Sequence, residues 1–267
     1  MKIKLINAKS FYFLLTLLFI VFQANAQTEK KTPVFVLVHG AFHGGWCWQK
    51  VTRQLQEKGE VVYTPTLSGL GAQKHTLNSN IDLNTHITDI VNLILSEDLH
   101  KVILVGHSYA GAVIAGVADR VPERLSQLVF LDAMLMKNGQ SAMDVSPEDI
   151  RMSFNKSATE FDKGLSLPFL SAEFFGLTNP DDIKWVNERL TNQPFRTFTQ
   201  RLVLKHPYGN RLPLTYIACT NPELRAIKPF AEEAKAGKDW QYLELKTGHD
   251  AMISMPVELA RMLESLK

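Results

Sequence analysis

The chain has 267 residues, 45% of them hydrophobic, with 29 basic against 27 acidic side chains and two cysteines. That length and apolar content allow one sizeable α/β core, while near-zero net charge and the lack of a basic run exclude the electrostatic footprint of a nucleic-acid binder. No His or Cys cluster has metal-ligand spacing and no glycine-rich loop has the phosphate-cradle pattern, so neither a metal nor another cofactor is expected.

At the start, Lys2, Lys4 and Lys9 precede an apolar run from Phe11 to Phe22, which exits through Ala24-Asn25-Ala26. A basic head, a short apolar core and a small-residue exit are the parts of a cleavable export signal, and the core is short for a membrane span. Residues 1–26 are therefore expected to be a signal peptide and 27–267 a secreted or periplasmic mature domain, free of the membrane once cleaved. Without the leader's lysines, that mature part keeps 26 basic against 27 acidic side chains.

Short apolar runs then alternate with amphipathic helical patterns, which is the signature of βαβ units and a parallel sheet covered on both faces. Strands are expected at about Val34–Val38, Val61–Tyr63, Val102–Val105, Leu128–Leu131, Leu214–Ala218 and Tyr242–Leu245, and helices at about Trp48–Lys58, Leu83–Leu95, Ala110–Arg120, Pro222–Ala236 and Pro256–Ser265. The fold class is thus α/β, a six-stranded, mostly parallel sheet with helices on both faces. The stretch from about 137 to 206 breaks the rhythm. It has no strand-like run but carries Phe154, Phe161, Phe169, Phe174, Phe175, Trp185, Phe195 and Phe198, and reads as a helical cap insertion. Most of these rings are expected to form the cap's own core, and a minority to face the sheet. Cys47 and Cys219 follow strands three sheet spacings apart, about 14 Å, so both are expected to be free thiols.

The chemistry begins at Val102-Ile103-Leu104-Val105-Gly106-His107-Ser108-Tyr109-Ala110-Gly111, where a β-branched run stops in Gly-x-Ser-x-Ala and continues as small, helix-compatible residues. A serine on a strained strand-to-helix turn needs small residues two before and two after it, because the chain reverses too tightly for side chains to clear. Ser108 is the expected nucleophile. Its hydroxyl needs a base, and of eight histidines His249 is the best placed, following the last strand in Lys246-Thr247-Gly248-His249-Asp250 at the carboxyl edge of the sheet. His39 and His43 read as pocket walls or loop supports. His107 fills the variable position of the turn, and His75, His86, His100 and His206 read as surface or helix-face residues. The first strand runs into His39-Gly40-Ala41-Phe42-His43-Gly44-Gly45, whose glycines let backbone amides turn toward a ligand. An oxyanion hole would pair the amide after the nucleophile, Tyr109, with one from this loop, most simply Ala41.

With the His-Gly loop, the Gly-x-Ser-x-small turn and the terminal histidine in this order, the chain resembles the α/β-hydrolase superfamily across its mature length. Val36-Leu37-Val38-His39-Gly40-Ala41-x-His43-Gly44-Gly45-Trp46, Pro65-x-Leu67-x-Gly69-Leu70-Gly71 and Val105-Gly106-His107-Ser108 look most like the branch of plant methylesterases, hydroxynitrile lyases and bacterial secreted esterases. The resemblance implies a six-stranded sheet under a helical cap, a serine esterase mechanism without cofactor, oxyanion roles for Ala41 and Tyr109, and the base role for His249.

Two departures from that branch matter. The acid that orients the histidine in the plant enzymes follows a Cys-Thr pair on the penultimate strand, but here Cys219-Thr220 leads into Asn221-Pro222-Glu223. A triad without an acid leaves the imidazole in the wrong tautomer, so another carboxylate is needed. Asp132 ends an apolar strand beside the turn and is the expected acid, with Glu223 as the alternate; Asp250 reads as a helix-start or loop residue. The lyases carry threonine at Gly40 and lysine at Asp250, so cyanide elimination is not expected. The expected reaction is hydrolysis of a small, apolar ester. An amidase, thioesterase or lactonase would share the triad, and a hydrolase-fold binding protein would share the pocket. Nothing in the sequence sets an oligomeric state.

Overall fold

The structure, a computed structural model, describes residues 33–267; the expected leader at 1–26 lies outside the described residues. The strands are β1 (Val34–Val38), β2 (Val61–Tyr63), β3 (Val102–His107), β4 (Leu125–Leu131), β5 (Ser166–Leu167), β6 (Gln193–Pro194), β7 (Leu214–Cys219) and β8 (Trp240–Leu245). Six of them form one sheet in the order β2-β1-β3-β4-β7-β8, with every neighbouring pair parallel. All six residues of β3 are buried, as continuous apolar runs in a doubly covered sheet require. The helices Gln49–Gln56 and Pro256–Glu264 pack on each other, as do Leu83–Ser96 and Ala110–Arg120.

Strand ends explain most differences from the expected boundaries. The runs at β3, β4, β7 and β8 extend by one to three residues because ladder pairing continues into flanking polar positions, such as Gln127 on β4 and Trp240-Gln241 on β8. The helix expected from Pro222 begins at Lys228, with Pro229 in its first turn. Both prolines suit a helix start, but Asn221-Pro222-Glu223 is spent on the turn leaving β7. Between β4 and β7 lie the helices Ala142–Val145, Glu148–Asp162, Pro180–Asn187 and Arg196–Thr199. A two-residue antiparallel ribbon of β5 with β6 also sits there, where no strand was expected; pairing that short leaves no alternation in the sequence to read. Cys47 and Cys219 are both buried and free.

Candidate active site

The parallel register brings the chemistry to one edge. His107 on β3 pairs with Leu131 on β4, so Ser108 and Asp132 are the next residues of adjacent strands. Both leave their strands in left-handed backbone, Ser108 at φ 56° and Asp132 at φ 42°. The two turns lock together: Ser108 N–H donates to Leu131 C=O at 3.1 Å, and Met134 N–H donates to Ser108 C=O at 3.0 Å. Gly111 is required by this contact, since a Cβ there would lie 2.2 Å from the Met134 carbonyl oxygen. The small residues around the serine thus serve a two-turn lock as well as the bend itself.

Beyond β4, Leu131 pairs with Ile217 on β7, which brings the end of β7 beside Asp132. Asp132 Oδ1 accepts from the Cys219 N–H at 3.0 Å, and Oδ2 accepts from His249 Nδ1 at 2.6 Å. The loop after β8 therefore carries His249 across the end of β7 to reach the carboxylate. Both side chains are nearly fully buried. With Nδ1 engaged, Nε2 of His249 is left for the cleft, which it lines together with Ser108. No hydrogen bond joins the Ser108 hydroxyl to that nitrogen, though both line the same cleft. Glu223, the alternate acid, has its exposed carboxylate on Lys228 Nζ at 2.8 Å rather than on His249.

The loop after β1 supplies the opposite wall. His39 Nε2 accepts the Leu67 N–H at 3.1 Å, so Nδ1 must carry the ring proton and donates to Gly40 C=O at 2.8 Å. Burial pushes His39 down to about 3, which keeps it neutral in that tautomer. Because the peptide is planar and trans, fixing the Gly40 carbonyl also fixes the direction of the Ala41 N–H. Among the described residues, neither the Ala41 nor the Tyr109 N–H donates to a protein acceptor, whereas the Phe42 N–H is held by Gln193 Oε1 at 3.0 Å. A side chain at Gly40 would meet Ser108 Cβ and His107 Nδ1, each at 2.9 Å, so glycine there lets the loop come this close to the serine without displacing either side chain.

One histidine, His86, departs from its sequence reading, and two others have partners that the sequence did not show. His86 is fully buried rather than on a surface: its Nε2 donates to Ser68 C=O at 2.9 Å and its Nδ1 takes the Tyr109 hydroxyl at 3.1 Å. His43 is a loop support, but its partner is Asp250, at 3.2 Å. Asp250 does begin the short helix Ala251–Ser254, yet its side chain does not cap it and is fully buried against His43. His107 donates from Nε2 to His249 C=O at 3.0 Å and is held neutral by burial and by the neighbouring His249. A carboxylate followed by the buried run Ala251-Met252-Ile253 was the available sign that Asp250 needed an inward partner.

The cleft over Ser108 is small, with a cavity volume of about 50 Å³. Half of the eight large rings noted in the insertion, rather than a minority, face it: Phe154, Phe174, Phe175 and Phe198. Phe161 and Phe169 are instead exposed, and Trp185 packs edge-on against Trp46. Ile150, Leu170, Leu224 and Ile227 complete an apolar wall, and among the described residues no Lys, Arg, Asp or Glu lines the cleft. Among the described residues, no group of three or more His, Cys, Asp or Glu side chains is arranged to hold a metal ion.

Comparison with known proteins is consistent with this edge. The model of the "Alpha/beta hydrolase family" matches residues 35–262. A relative named "Carbendazim hydrolyzing esterase", from Nocardioides sp. (strain SG-4G), is 37% identical over 240 residues, covering 87% of this chain and 98% of the relative. "Putative methylesterase 11, chloroplastic" of Arabidopsis thaliana is 30% identical over 76% of this chain, which spans about half of that protein, 46% of its length. Among solved structures, an extracellular alpha/beta-hydrolase from a Paenibacillus species superposes with a TM-score of 0.76 at 24% identity, covering 88% of this chain and 98% of that one.

Proposed function

Because this chain belongs to the alpha/beta hydrolase family, we propose that it is a serine-dependent carboxylic ester hydrolase in which Ser108, His249 and Asp132 form the triad. Ser108 attacks the ester carbonyl while His249 takes its proton, and Asp132 holds the resulting imidazolium. The Ala41 and Tyr109 N–H groups donate to the developing oxyanion. The imidazolium then protonates the departing alcohol, and water repeats the sequence on the acyl-enzyme to release the acid. The observation that carries this reading is the 2.6 Å Asp132–His249 bond, buried behind the cleft that His249 and Ser108 both line. Support also comes from the two unclaimed N–H groups and from relatives named as an esterase and a methylesterase.

The substrate proposed is a neutral ester with a compact aryl or apolar group, because the cleft offers ring faces and, with His43 engaged by Asp250, no free counter-charge for a carboxylate or ammonium group. The N-terminal pattern of residues 1–26 supports export with cleavage after Ala26, which N-terminal sequencing of the mature protein would check. The central test is covalent labelling by a fluorophosphonate together with turnover of short aryl and methyl esters. Ser108→Ala is expected to abolish both, and undiminished turnover in that variant would overturn the mechanism.

A further inference from the structure

We propose that Asp250 and His43 form a buried imidazolium–carboxylate pair that positions the oxyanion loop, so that both are positioning residues acting through the Ala41 peptide. The inference rests on the reading of Ser108 as nucleophile and of the Ala41 N–H as an oxyanion donor.

The proton count carries it. His43 Nδ1 lies 2.7 Å from Ala41 C=O, and a carbonyl oxygen only accepts, so that nitrogen bears hydrogen. His43 Nε2 lies 3.2 Å from Asp250 Oδ2, and an unprotonated contact there would set two acceptors against each other. The pair therefore holds two protons, one on Nδ1 and one between Nε2 and Oδ2. A carboxylic acid gives up its proton more readily than an imidazolium does, so the second proton belongs to His43. Burial, the largest single influence on each group, opposes its charged form, but mutual attraction and hydrogen bonding outweigh it, raising His43 and lowering Asp250.

No neighbour competes for that charge. His107 Nε2 stands 3.8 Å from Asp250 Oδ1 but is held neutral by burial, as is His39. Burial and the Asp250 charge keep the Cys47 thiol protonated. His249 precedes Asp250 in the chain, and its Nδ1 is committed to Asp132.

The mechanical consequence follows from which peptide is gripped. The Ala41–Phe42 peptide is held at its carbonyl by His43 and at its N–H by Gln193, while Phe42 sits at φ 66°, a conformation that a bulky residue adopts only under constraint. The Ala41 N–H lies immediately before this clamp, and the Gly40 carbonyl held by His39 lies on its other side. Asp250, one residue from the base, thus fixes the base loop and the oxyanion loop to each other.

The test is ¹⁵N-histidine NMR of the mature protein at neutral pH, paired with kinetics of the isosteric Asp250→Asn variant. The wild-type His43 ring is expected to show both nitrogens protonated, with His39 as the Nδ1–H and His107 as the Nε2–H neutral tautomer. In Asp250→Asn the His43 ring should become neutral. Its kcat should fall about 10- to 100-fold, less than the loss of a whole oxyanion donor, with KM for a neutral ester unchanged and affinity for a trifluoromethyl ketone weakened by the same factor. A neutral His43 in the wild type would overturn the proposal, as would unchanged kcat and ketone affinity in the variant. If the variant does not fold, the wild-type spectrum alone decides. Failure of the Ser108 reading would appear separately, as absent fluorophosphonate labelling of the wild type.

Discussion

Two imidazole–carboxylate pairs lie at the same sheet edge, built from the same residue types and both nearly excluded from water, yet they are wired for different tasks. His249 gives Nδ1 to Asp132 and keeps Nε2 for the cleft. His43 gives Nδ1 to Ala41 C=O and Nε2 to Asp250, leaving nothing for a substrate. The difference lies in what remains after the hydrogen bonds are counted. A ring with one nitrogen spare can cycle a proton, whereas a ring with both nitrogens engaged can only hold a shape. Burial alone would have ranked the two pairs together.

The largest effect is expected from breaking the first pair. Asp132→Asn should lower kcat by about 10⁴-fold, because an amide cannot hold the imidazolium and favours the wrong tautomer. Glu223→Gln should leave kcat within about twofold, since that side chain faces Lys228 outside the cleft. Steady-state kinetics on one aryl ester decides it, and equal losses in the two variants would remove Asp132 from the triad.

The second pair should announce itself in stability rather than in proton transfer. His43 is raised above 6.5, so its contribution is complete below that pH and is lost as pH rises through the folded value. Asp250 is lowered from 3.8, so its contribution is complete above that pH and is lost as pH falls through the folded value. The stability difference between wild type and Asp250→Asn should therefore be greatest between pH 3.8 and 6.5 and shrink on either side. Its size should be about 2 kcal/mol, the scale for a hydrogen bond between charged groups when the ring left behind turns neutral. His39 and His107 are neutral in both proteins and cancel in the difference. Urea unfolding across pH measures this, and a difference that does not vary with pH would mean the pair is not ionised.

How much of this edge could be read in the sequence follows the range of the interactions involved. The Gly-x-Ser-x-Ala turn, the apolar strand ending in Asp132 and the histidine after the last strand are local patterns, each forced by a steric or desolvation cost within a few residues. Once parallel register is assumed, they converge, and Asp132 could be preferred to Glu223 before any geometry was known. The His43–Asp250 pairing spans 207 positions and leaves no periodic trace, so Asp250 read as an ordinary helix-start residue. His86 failed for the same reason: its partners, Ser68 C=O and the Tyr109 hydroxyl, lie 18 and 23 positions away, and on its own helix it shows only one polar residue on an otherwise apolar face. The two-residue ribbon of β5 and β6 is set by tertiary contact, because two residues carry no alternation.

Phe175 sharpens the comparison because its ring touches both imidazoles, stacked on His249 at 5.9 Å and edge-on to His43 at 5.4 Å, while also lining the cleft. Replacing it with leucine keeps an apolar wall but removes the aromatic contact, worth about 1 kcal/mol. KM for an aryl ester should rise about fivefold, on the same scale, while kcat changes little, because Asp132 and not the ring orients His249. The two-proton NMR signature of His43 should persist, since neither of its hydrogen bonds involves Phe175. A loss of that signature in Phe175→Leu would mean that the cap maintains the charge of the second pair by excluding water. The two pairs would then differ in their shielding as well as in their wiring.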